Sequence, residues 1–105
     1  MGAKTRKQQI EDLLADDPND PFLRYGLAME HVSAGADDEA VRCFGELLAV
    51  APDYVPAFMQ AALAYQRLGR LEEARAILTR GIAVAGRQGD QHAREEMTGF
   101  LAGLG

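Results

Sequence analysis

The sequence predicts an all-α fold, a right-handed α–α superhelix of stacked helical hairpins with about six helices in 105 residues. Three observations carry this. Shifting the chain by 34 residues superimposes Pro18 on Pro52, Ala28 on Ala62, Gly35 on Gly69, Glu39 on Glu73 and Ala40 on Ala74. The same shift places Phe44 on Leu78 and Leu48 on Ile82. Within each unit the apolar residues recur at helical spacing, and Gly or Pro interrupts them where a hairpin must turn. A fixed period of this size marks a stacked architecture, because one hairpin cannot bury its apolar face alone.

The elements follow in order. Over 6–17, Ile10, Leu13 and Leu14 match Phe44, Leu47 and Leu48 after the shift, so this helix is itself the second half of a repeat. Asp20-Pro21 supplies a capping side chain and then proline at the first helical position, opening a helix through Val32 that Gly35 stops. "DDEAVRCFGELLAV" begins with acids suited to a helix N-terminus and runs to Pro52, which a helix interior would not accept. Asp53 and Pro56 open a helix over 56–68, Gly69 ends it, and a helix over 71–85 ends in "GRQGD". A last helix, from about Asp90 to Ala102, puts Ala93, Met97, Phe100, Leu101 and Leu104 on one side. Small residues, among them Gly26, Ala28, Ala62 and Gly81, let helices approach, while Phe44, Tyr65 and Leu78 fill the gaps. The expected organisation is one domain over 1–105: half-repeat helix 6–17, repeats at 20–53 and 54–87, and a capping helix over 90–103.

These residues resemble the tetratricopeptide-repeat family, whose 34-residue unit is a helix–turn–helix, in its small stand-alone bacterial form. The second repeat carries the likeness in Phe58, Ala62, Tyr65, Gly69, Ala74, Leu78 and Gly81. The first carries it in Leu27, Ala28, Gly35, Ala40, Phe44 and Pro52. Arg24, His31, Ala61 and Gly86 depart from the family pattern. The resemblance implies a non-catalytic interaction module that binds a peptide or partner helix on the concave face lined by the opening helices. Carried over by position, the binding residues are Phe22, Tyr25 and Met29, then Met59, Gln60, Leu63 and Arg67, then Arg94. Val32, Thr98 and Leu101 fall on the same side. Met, Tyr and Phe suit adaptable apolar recognition, and Arg67 and Arg94 suit an acidic group on the partner. Family members that hold the acidic C-termini of heat-shock chaperones use a Lys/Asn set; Tyr25, Met29 and Gln60 stand there instead, so that activity is not expected.

Composition narrows the remaining classes. The net charge is −5, and residues 1–53 carry five basic and eleven acidic side chains. Without a basic stripe, nucleic acid is not an expected partner. No segment has the length of apolar sequence a membrane span needs, and the basic N-terminus leads into "EDLLADDP", unlike a secretory signal. Cys43 is the single cysteine, which suits a reducing, cytoplasmic compartment. No phosphate loop or nucleophile motif is present, so no enzyme and no cofactor is expected. His31 reads as a packing residue in place of Tyr, and His92 with Glu95 and Glu96 as an incomplete metal pair, so no metal is expected. A second reading is a scaffold, monomer or weak homodimer, that self-associates through its terminal helices, with Phe100, Leu101 and Leu104 exposed at one end.

Overall fold

The structure, a computed structural model, describes residues 2–104. Six helices account for the order: α1 Arg6–Asp16, α2 Pro21–Ser33, α3 Asp37–Val50, α4 Val55–Arg67, α5 Leu71–Gln88 and α6 Gln91–Gly103. The chain divides into two compact units, Met1–Pro52 and Asp53–Gly105, each holding three helices.

In the first unit α2 packs against both α1 and α3. Thr5 and Gln8 form a reciprocal capping box at the start of α1, and the Asp20 carboxylate accepts from the Leu23 amide at 3.1 Å to start α2. Ala28, Ala40, Phe44 and Leu47 are fully buried, and the Tyr25 ring meets Phe44 at a centroid distance of 6.2 Å. α3 begins without a side-chain cap; Asp37, Asp38 and Glu39 place negative charge in its first turn instead.

In the second unit α4 packs against α5 and also touches α6, which in turn packs on α5. The close approach centres on Gly81. A Cβ built there would lie 2.6 Å from Phe58 Cβ and 2.7 Å from Met97 Sδ, so only glycine lets α5 pass between α4 and α6. Phe58, Leu78 and Met97 are buried around it.

The repeat is visible in the turns as well as in the cores. Gly35 and Gly69 both adopt a left-handed backbone, at φ +73° and +74°. Around Gly35 the amides of Gly35 and Ala36 donate to the Val32 and His31 carbonyls. Around Gly69 those of Gly69 and Arg70 donate to Gln66 and Tyr65. This pairing satisfies the orphan carbonyls of the helix end and reverses the chain.

Two boundaries differ from the expectation. α5 does not stop at 85 but runs through Gly86 to Gln88, where Gly89 at φ +71° repeats the same turn geometry. A helical glycine weakens a helix without ending it, and no proline follows Gly86 to force a stop. Asp53 does not cap α4: Tyr54 is the N-cap residue, the helix opens at Val55, and no side chain caps it. The Asp53 carbonyl instead accepts from Gln88 Nε2 at 2.7 Å, tying the start of α4 to the end of α5.

Candidate functional site

Phe22, Tyr25 and Met29 come together in the first unit. α2 turns them toward α1, where they line a cleft of about 410 Å³ with Arg6, Gln9, Ile10, Leu13, Leu23 and Gly26. Phe22 is 73% exposed and Leu13 54%, two large apolar side chains open to water on facing walls of one cleft. Tyr25 and Met29 are half-buried, the former held by its contact with Phe44.

The wall supplied by α1 was not among the expected site residues. Its signal was nevertheless in the repeat. Leu13 corresponds to Leu47, and Leu47 is fully buried while Leu13 is not. α1 matches the second helix of a repeat, and its Leu13 stays open to water as part of one wall of the cleft. Ordinary monomers bury side chains of this size or scatter them, and a paired, concave exposure is the kind that marks a binding surface.

The expected residues of the second unit are distributed differently. Met59, Gln60 and Leu63 are half-buried along α4, and Arg67 is exposed at its end. Arg94 is exposed on α6, where it lines a shallow depression with Gln91, Glu95, Thr98 and Gly99. The outward surface of α6 is therefore polar. Phe100, Leu101 and Leu104 are half-buried, which corrects the expectation of an exposed apolar end there. Helical periodicity turns them toward the side that carries the buried Met97. The two most exposed large apolar residues, Phe22 and Leu13, lie on α2 and α1 instead.

Other candidate groups have structural explanations. His92 and Glu96 stand 4.0 Å apart, both well exposed, and among the described residues no cluster of three metal-ligating side chains forms. His31 is half-buried at the position matching Tyr65. Glu39 and Glu73 are held below the usual carboxylate range, each chiefly by its hydrogen bond to a neighbouring guanidinium, Arg42 and Arg70 respectively. These pairs lie within three residues on exposed surfaces and steady helix starts.

Cys43 is 6% exposed, and burial pushes its thiol above the ordinary value, so it stays protonated and unreactive near neutral pH. A thiol reagent is expected to modify Cys43 slowly in the folded protein and rapidly in denaturant. Fast modification without denaturant, followed by absorbance, would show that α3 opens readily. Among the described residues no helix is long and apolar enough to cross a membrane.

Comparison with known proteins agrees with this architecture. Residues 31–94 match the tetratricopeptide-repeat family. A TPR repeat-containing protein of Pseudomonas aeruginosa is 32% identical over 95 residues, covering 90% of each chain. The crystal structure of a tetratricopeptide repeat domain protein from Salinibacter ruber aligns with a TM-score of 0.75 at 34% identity. That alignment covers 81% of this chain and 94% of the other. The structure of PcrH in complex with the chaperone-binding region of PopD shares the fold, with a TM-score of 0.87 at 18% identity over 93% of this chain and 74% of that one. Helical hairpins of fixed period, matched turn glycines and a family match over most of the sequence lead to one conclusion: the chain belongs to the tetratricopeptide-repeat family, whose members are in general non-catalytic protein–protein interaction modules.

Proposed function

We propose that this protein binds a short apolar segment of a partner protein, a peptide or one helix, in the cleft between α1 and α2. The α1–α2 cleft is the observation that carries this reading: Phe22, Tyr25 and Met29 supply adaptable apolar contacts, and the exposure of Phe22 and Leu13 leaves surface to bury. In the second unit, taken by itself, Met59, Gln60 and Leu63 are half-buried along α4, and Arg67 and Arg94 are charged groups of the kind that suits an acidic group on a partner. PcrH, similar in fold, is seen bound to a segment of PopD, which supports a partner segment as the ligand class. A buried, protonated Cys43 and no disulfide requirement suit a cytoplasmic protein.

The test selects peptides of random sequence against the protein and measures their affinity by fluorescence anisotropy. Selected sequences are expected to carry apolar anchors at helical spacing. Phe22→Glu is expected to weaken them about tenfold or more, since burying a large side chain contributes roughly 1.5–3 kcal/mol. Leu71→Glu, a change at another exposed apolar residue, is expected to leave affinity unchanged. Unchanged binding by Phe22→Glu would remove the cleft from the reading.

A further inference from the structure

We propose that a second copy of this chain also occupies the α1–α2 cleft, with the two α1 helices antiparallel across a two-fold axis. The inference rests on the cleft being a binding surface, and it adds self-occlusion as the regulation of that surface.

It starts from a charge distribution that α1 alone does not favour. Arg6 and Lys7 occupy the first turn, Asp16 ends the helix, Asp17 follows as its C-cap residue, and neither an acid at the start nor a base at the end offsets them. Positive charge at a helix N-terminus and negative charge at its C-terminus both oppose the macrodipole. Such an arrangement destabilises the lone helix, yet it is what an antiparallel copy would match.

The match is residue by residue. Arg6, Gln9, Leu13 and Asp16 recur at helical spacing and form one stripe along α1, and the first three line the cleft. Arg6 and Asp16 are equidistant in sequence from Glu11, and so are Gln9 and Leu13. A two-fold axis near the level of Glu11 therefore sets Arg6 of each copy beside Asp16 of the other. It also brings Leu13 and Phe22, the two most exposed large apolar residues, into the shared interface. An isologous contact needs one patch that complements itself, and this stripe does.

Within the chain the competing partners are weak. Arg6 lies 3.4 Å from Glu30 but its side chain is 76% exposed, the class of pair that exchanges at little cost. Asp16 has no ion-pair partner among the described residues. α6, by contrast, presents a polar outward surface and does not fit an apolar cleft. A dimer through this face would cover Phe22, so the partner segment and the second copy would compete.

The experiment is sedimentation of the wild type and charge-reversed variants from about 1 μM to about 1 mM, with thermal melts alongside. The wild type is expected to approach twice its monomer mass within that range. Arg6→Asp and Asp16→Arg are each expected to shift the midpoint at least tenfold toward higher concentration, and the combined variant to restore it. Both single variants ease the conflict with the macrodipole, so each is expected to melt no lower than wild type at concentrations where all are monomeric. This separates a lost interface from a lost fold.

A wild type that stays monomeric throughout would overturn the inference. So would a dimer indifferent to either reversal, or a combined variant that stays as weak as the singles. Peptide binding distinguishes the two readings. Asp16→Arg, which lies outside the cleft lining, is expected to bind selected peptides at least as well as wild type, because it removes the competitor. A failed dimer with intact peptide binding would leave the proposed function standing. Dimerisation without peptide binding would remove the proposed function and keep the self-association.

Discussion

Phe58→Ala is expected to lower stability by about 3–5 kcal/mol. Phe58 is fully buried on α4, faces the Gly81 backbone of α5, and has the Arg80 guanidinium 5.5 Å above its ring. Removing the ring leaves a void that helices tied by short turns cannot close, so the cost includes the cavity as well as lost transfer energy. Against a total stability of about 5–15 kcal/mol for a domain, that is enough to melt the second unit near physiological temperature. Thermal unfolding followed by circular dichroism would check it, at roughly 4–8 °C per kcal/mol for a unit of this size. A fall of only a few degrees would mean that α4 is not held through this ring.

Gly81→Ala attacks the same place from the other side. The added methyl would sit 2.6 Å from Phe58 Cβ and 2.8 Å from Phe58 Cγ, closer than real carbon atoms come. Helix propensity favours alanine by about 1 kcal/mol, but overpacking costs roughly 1–3 kcal/mol and more where backbone must shift, so the net sign is destabilising. Met97 Sδ, at 2.7 Å, can swing away; Phe58 Cβ cannot, because it is fixed to α4. Combining Gly81→Ala with Phe58→Ala is expected to cost less than the two separately, since the Cγ clash disappears with the ring. It is not expected to restore wild-type stability, because the Cβ contact remains. Equilibrium denaturation of the three variants would measure this coupling, and strict additivity would show that Gly81 does not meet Phe58.

Much of this was legible in the sequence because the repeat states it twice. Gly35 and Gly69, Ala28 and Ala62, Ala40 and Ala74 fall in the same environments in both units. Gly81 reads as a close-approach position from its place in the pattern, and the structure supplies the atoms it approaches. The errors arose where a residue has more than one physical use. Gly86 stands where a stop is expected, but glycine can also lie inside a helix, and only the left-handed turn at Gly89 decides between the two. Asp53 is a good cap residue by type, yet it precedes a helix that starts at Val55 and is one position too early. Of the cleft lining, Phe22, Tyr25 and Met29 follow from the face of α2, whereas Arg6, Gln9 and Leu13 lie on α1, whose apolar face the repeat pattern assigns to packing.

The helix pairings have a consequence for how quickly the protein forms. α1 meets α2, α2 meets α3, α4 meets α5 and α5 meets α6, and α4 with α6 is the one pairing among these that skips a helix. Nearly every stabilising contact within a unit thus closes a loop of a few tens of residues or fewer, and a longer loop raises the entropic cost only slowly. Chains built this way have low contact order and fold in microseconds to milliseconds. Each unit also carries its own nucleus, a turn glycine flanked by two helices, so structure can begin at Gly35 or at Gly69 and spread by one helix at a time.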